Sequence, residues 1–173
     1  FTAKDLSIYE FETGVVIGKT DANEGGDSRN FFWNVEFNDM VTCIKNLTTQ
    51  GFITNLFGSS FGTRTQYGVV SYRADTGEGN VIQMFGGEVG SWDIIFDFQT
   101  TYGQALFSGV HFESDPTGKT DPPTIIKSVA SQNAIGASAK FDSCYFGYSS
   151  NNFLNTTKKI VDYHMGSNLT FSN

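Results

Sequence analysis

One phrase recurs along this 173-residue chain: a short alternating run of apolar and polar residues that ends on phenylalanine. It is written Ile8-Tyr9-Glu10-Phe11, Trp33-Asn34-Val35-Glu36-Phe37, Ile53-Thr54-Asn55-Leu56-Phe57, Ile82-Gln83-Met84-Phe85, Ser108-Gly109-Val110-His111-Phe112, Phe141-Asp142-Ser143-Cys144-Tyr145-Phe146 and Asn168-Leu169-Thr170-Phe171. Alternation with period two is the pattern of a strand with one buried face. The closing phenylalanines, Phe11, Phe37, Phe57, Phe85, Phe112, Phe146 and Phe171, fall about one solenoid coil apart.

A second, shorter apolar run follows almost every one of these phrases. The series is Gly14-Val15-Val16-Ile17, Met40-Val41-Thr42-Cys43-Ile44, Tyr67-Gly68-Val69-Val70-Ser71-Tyr72, Trp92-Asp93-Ile94-Ile95-Phe96-Asp97-Phe98, Thr124-Ile125-Ile126-Lys127 and Lys159-Ile160-Val161-Asp162-Tyr163. A sandwich would also supply many short strands, but not the same two-strand phrase in the same order each time. A single coil leaves its strand edges unpaired and its apolar face open. The next coil pairs those edges at about 4.8 Å and stacks ring on ring. The fold expected is therefore all-β: a right-handed parallel β-helix of about six coils. Residues 1–173 form one domain of it, read as a piece of a longer chain, and the closing phenylalanines form a continuous core column.

Composition agrees with this. The 17 Phe, 7 Tyr and 19 Gly stand against only 3 Pro; aromatics favour half-buried pleated surfaces and glycine supplies turns. The net charge of −7 gives no clustered cations for a phosphate backbone, which argues against a nucleic-acid partner. No apolar run approaches the roughly 18 residues of a membrane span, and no signal peptide is visible. Cys43 and Cys144 each sit in an apolar stretch and are read as buried free thiols. The longest polar linkers, residues 21–30, 74–80 and 115–123, are expected to gather on one side of the stack and frame a groove.

Rungs such as Ser108-Gly109-Val110-His111-Phe112-Glu113 and Phe141-Asp142-Ser143-Cys144-Tyr145-Phe146 resemble those of the pectate-lyase-like β-helix superfamily. Within it, the aromatic-rich rungs and long polar loops look most like phage tailspikes. The resemblance implies an extracellular homotrimer on a virion surface that binds, and usually hydrolyses or eliminates, a bacterial surface polysaccharide. It is one of pattern across nearly the whole chain. The Asn-Thr-Asp and Gly-His-Gly signatures of polygalacturonases are absent, and Arg29, Arg64 and Arg73 sit in no Arg-x-Lys context.

Cleavage of a glycosidic bond needs two carboxyl groups about 5 to 9.5 Å apart. Aligning the phrases places Glu10 over Glu36, with Glu12 beside Asn38. It also places Glu88 and Asp93 about a turn that lies one coil before His111 and Glu113. Stacked carboxylates repel, which raises one pKa and suits a general acid. Glu88, Asp93 and Glu113 are the expected catalytic group, with Asp97 a weaker addition. Trp92, Tyr102, His111 and Tyr145 are the expected substrate-binding residues, since rings stack on sugars. His111 and Tyr145 occupy equivalent outward positions in adjacent coils.

No cofactor is expected. No spacing of His, Cys and carboxylates suggests zinc, so no metal is assigned, and the acidic loop holding Asp21, Asn23, Glu24 and Asp27 lacks the ordered spacing of a calcium loop. Gly14-Val15-Val16-Ile17-Gly18-Lys19-Thr20 has three residues between its glycines where a phosphate loop needs four. Three Asn-x-Thr sequons begin at Asn46, Asn155 and Asn168. The functional expectation is recognition, with cleavage, of a bacterial surface polysaccharide. The alternative is a non-catalytic glycan-binding module or structural stalk.

Overall fold

The structure, a computed structural model, describes residues 1–18, 29–47, 53–62, 70–74, 80–90, 94–98, 103–114, 124–128, 138–148, 161–162 and 168–173. Among these residues the protein is all-β, without a helix, and every strand pairing is parallel. No helix long and apolar enough to cross a membrane is present among them.

The strands fall into three ladders. The long ladder consists of β1 (Thr2–Tyr9), β3 (Arg29–Asn38), β5 (Ile53–Phe57), β8 (Asn80–Phe85), β11 (Gly103–Ser108), β14 (Ser138–Asp142) and β17 (Asn168–Ser172). A short ladder continues from the C-terminal half of β3 through β6 (Ser60–Phe61), β9 (Glu88–Val89), β12 (His111–Ser114) and β15 (Tyr145–Tyr148). Because β3 belongs to both, the two make one eleven-stranded sheet. A second, six-stranded sheet runs β2 (Thr13–Ile17), β4 (Thr42–Asn46), β7 (Val70–Ala74), β10 (Ile94–Phe98), β13 (Thr124–Ser128) and β16 (Val161–Asp162). From β5 onward the chain visits long ladder, short ladder and second sheet in fixed rotation.

The second runs of the sequence are thus the second sheet, strand for strand. The first phrases are a different matter, because two of them, Ser108 to Phe112 and Phe141 to Phe146, join a long-ladder strand to a short-ladder strand, while Ile53 to Phe57 and Ile82 to Phe85 lie on the long ladder alone. Between long and short ladder the backbone turns at a single residue, and the register stacks those residues in one column: Asp5, Asn34, Gly58, Gly86, Gly109 and Ser143. All six have a positive φ, from 51° to 64°. This left-handed conformation costs an ordinary L-residue roughly 1–2 kcal/mol, less for Asn and Asp and nothing for Gly. Five of the six are Gly, Asn or Asp, so the corner is encoded locally. Pairing also continues through it. The N–H groups of Gly58, Gly86, Gly109 and Ser143 donate to the carbonyls of Phe85, Ser108, Asp142 and Ser172 at 2.8–2.9 Å. The Asn34 amide donates to Asp5 Oδ1 at 3.0 Å.

The corner resets the alternation, which corrects the expected phenylalanine column. Phe32, Leu56, Met84, Phe107, Phe141 and Phe171 share one register column of the long ladder. Phe37, Phe61, Val89, Phe112 and Phe146 share another, on the short ladder. Phe57 and Phe85 stand in neither. They immediately precede the corner, half-buried and pointing outward. Phe57 stacks on exposed Trp33 with ring centroids 4.0 Å apart, and on Phe85 at 5.3 Å. Phe11 lies outside any strand and is exposed. The expected pairing of Glu10 with Glu36 fails for the same reason of register, since Ser7 pairs with Glu36 and Glu10 follows Tyr9, the partner of Asn38.

All three ladders contribute to one core. Fully buried Phe96 of the second sheet packs on Phe61 of the short ladder at 6.2 Å and on Phe107 of the long ladder at 4.7 Å. Cys43 is buried and Cys144 partly so, and both are free thiols; burial pushes the Cys144 thiol upward in pKa. Asn46, the first residue of one sequon, is 0% exposed in the folded chain. Residues 21–28 and 75–79 both join the second sheet to the long ladder, whereas 115–123 joins the short ladder to the second sheet. The three linkers therefore do not share one junction, and their own course lies outside the described residues.

Candidate functional site

The short ladder presents a column of outward residues: Glu36, Ser60, Glu88, His111 and Tyr145. Their chain neighbours Phe37, Phe61, Val89 and Phe112 are buried, and alternation forces the column onto the surface. Glu113 lies two residues beyond His111 on β12 and emerges on the same face. The donor atoms of Glu88, His111 and Glu113 all lie within 4.8 Å of one another, with both carboxylates exposed and the imidazole half-buried. On the other side of His111, exposed Tyr145 meets the imidazole edge-on, with centroids 4.8 Å apart and an interplanar angle of 63°.

Space around this group is kept by missing side chains. Val89 pairs with Phe112, so the next residue, Gly90, stands beside Glu113, and Gly147 pairs with Glu113 from β15. A Cβ at Gly147 would lie 3.3 Å from His111 Nε2 and 2.8 Å from a ring carbon of Tyr145. Glu113 thus carries a side chain between two glycines. Among the described residues, neither Glu88 nor Glu113 has an ion-pair partner.

The structure brings together four of the seven residues expected from the sequence: Glu88, Glu113, His111 and Tyr145. Trp92, Asp93 and Tyr102 lie outside the described residues. Asp97 is not part of the group. It sits buried on β10 of the second sheet, in a register column between Arg73 and Lys127. Glu36, at the far end of the outward column, belongs to a separate hydrogen-bonded corner. Its carboxylate accepts from Asn38 Nδ2 at 2.7 Å, Tyr9 Oη at 3.0 Å and Ser7 Oγ at 3.2 Å. Those bonds, the Asn38 bond foremost, lower its pKa. This makes Glu36 a fixed structural anion tying β1 to β3.

A second surface feature has no counterpart among the sequence expectations. On the outer face of the long ladder, Gln83, Gln104, Leu106, Lys140 and Thr170 line an open depression of about 290 Å³. The column of Gln83, Leu106, Lys140 and Thr170 adjoins that of Trp33, Phe57 and Phe85 on this face. Amide, ammonium and hydroxyl groups beside a flat aromatic strip suit a polyhydroxylated ring. The available signal was an aromatic residue immediately before a corner Asn or Gly, in Trp33-Asn34, Phe57-Gly58 and Phe85-Gly86.

No family model, curated protein or solved structure matches the chain. These two surfaces carry the functional reading.

Proposed function

We propose that the chain is a right-handed parallel β-helix whose outer surface recognises a bacterial surface polysaccharide and cleaves it at the Glu88–Glu113 pair. The setting proposed is a homotrimeric, tailspike-like protein outside the cell or on a virion. Handedness follows from the general rule that parallel crossover connections are right-handed in about 98% of cases. Exposed Leu6, Phe11 and Val16 supply apolar surface for a neighbouring subunit.

The observation that carries the reading is the juxtaposition of Glu88, His111 and Glu113 beside exposed Tyr145. Two carboxylates this close match the short spacing, about 5–5.5 Å, at which one acts as nucleophile and the other as acid, retaining configuration. His111 supplies a third proton-carrying group, and Tyr145 a face on which a sugar can stack.

The test is incubation with a panel of capsular and O-antigen polysaccharides in the presence of a chelator, followed by size analysis. Shortened chains are expected. Glu113→Gln and Glu88→Gln should each slow cleavage about 10²-fold or more, the usual loss of a positioned acid or base. An unsaturated product end would reassign the reaction from hydrolysis to elimination. Polysaccharide cleaved equally well by both variants would remove the pair from the chemistry.

The aromatic strip and the amide-lined depression favour a second reading, a glycan-binding module without cleavage. Binding without shortening, lost when Trp33 is replaced by alanine, is its expected signature.

A further inference from the structure

We infer that Glu88, His111 and Glu113 form a binding site for a first-row divalent cation of the zinc class, with coordination positions left open to solvent or ligand. One imidazole nitrogen and two carboxylate oxygens, from two paired strands, lie within 4.8 Å of one another. Three protein donors of the N and O type, with a free fourth position, are what zinc takes at open sites. An imidazole among the ligands disfavours calcium and magnesium, which take oxygen.

Two further observations point to an occupant. Two exposed carboxylates face each other with no ion-pair partner among the described residues; a cation between them relieves that repulsion. The ground beside His111 Nε2 is also held open by glycine, since a Cβ at Gly147 would crowd that nitrogen. Donors bound to zinc at about 2.0–2.2 Å sit roughly 3.4 Å apart in a tetrahedron. From a separation of up to 4.8 Å the side chains must therefore close by up to about 1.4 Å, within reach of a Glu113 that stands between two glycines. The spacing of these ligands along the chain is not that of any sequence motif. Register alone assembles them, which is why residue spacing shows no metal group here.

This inference uses the same two carboxylates as the glycan reading, each of which a bound ion would occupy; it does not rest on that reading and is tested with the ion alone. Tag-free protein, stripped with chelator, is titrated with zinc chloride by calorimetry, and then with calcium chloride. One saturable zinc site is expected, with weaker calcium binding. His111→Ala and Glu113→Gln should each weaken zinc binding at least tenfold, since loss of even an outer-shell partner typically costs about 10–100-fold. Gly147→Ala should weaken it too, while His164→Ala, which removes the chain's other histidine, should not. Zinc should also shift the Tyr145 ring resonances in the NMR spectrum. The group is at the surface, and an unchanged melting curve for each variant verifies its fold. No saturable zinc binding, equal affinity in His111→Ala, or loss in His164→Ala would overturn the assignment.

Discussion

Gly87→Ala is expected to lower the melting temperature by roughly 6–12 °C, the equivalent of about 3 kcal/mol in a domain of this size. Two effects add. Gly87 has φ +89°, where a Cβ costs about 1–3 kcal/mol. That Cβ would also run into the backbone carbonyl of Ser59, just before β6. Ser59 has little room to yield. Its hydroxyl oxygen accepts from the Val35 N–H and donates to the Phe32 carbonyl, each at 3.2 Å, and its own carbonyl accepts from the Glu88 N–H at 3.3 Å. Gly58→Ala is the control. Gly58 also has a positive φ, but nothing lies within 4 Å of the position a Cβ would take there, so only the conformational cost of about 1–2 kcal/mol remains. Thermal melts of the two variants side by side check the difference. Equal losses would mean that the close approach at Ser59 contributes nothing.

Phe107→Ala should be the most damaging single truncation in the core, at about 3–5 kcal/mol. Phe107 is fully buried, and its ring touches Phe96 of the second sheet at 4.7 Å, Phe112 of the short ladder at 5.6 Å and Phe141 of the next long-ladder strand at 4.9 Å. Like Phe96, it is a ring at which all three ladders meet, so the cavity cannot close by shifting one strand. Phe85→Ala, on the outward strip, should cost clearly less, because its ring is only half-buried and stacks along its own column. Denaturant midpoints at constant slope measure both. Comparable losses would place Phe85 in the core, as the shared column of closing phenylalanines implies.

That contrast also marks how far the fold was legible. The second sheet was readable because each of its strands is one short run with no left-handed corner inside it, such as Ile94 to Phe98 and Thr124 to Ser128. The first phrases mislead because a left-handed corner sits inside some of them and just after others. Asn34, Gly109 and Ser143 lie inside an alternating run, where a one-residue turn moves every later side chain to the other face, whereas Gly58 and Gly86 follow their closing phenylalanine. Aligning every phrase on its closing phenylalanine therefore hides the third strand of each repeat and assigns Phe57 and Phe85 inward. The site was legible where both residues follow the corner, as His111 and Tyr145 do. The contact between Glu88 and His111 was not, because it depends on pairing β9 with β12.

Register is therefore the central claim, and one distance tests it most directly. Tyr145 and His111 come from strands separated in sequence by β13 of the second sheet and β14 of the long ladder, yet their ring centroids lie 4.8 Å apart. A two-dimensional NOE spectrum, with the His111 signals assigned by their loss in His111→Ala, should contain cross-peaks between the His111 ring protons and the Tyr145 ring protons. Their presence would place β12 and β15 in the stated register and the carboxylate–imidazole group with them. Cross-peaks from His111 to a different ring, with none to Tyr145, would contradict the pairing and dissolve the proposed site.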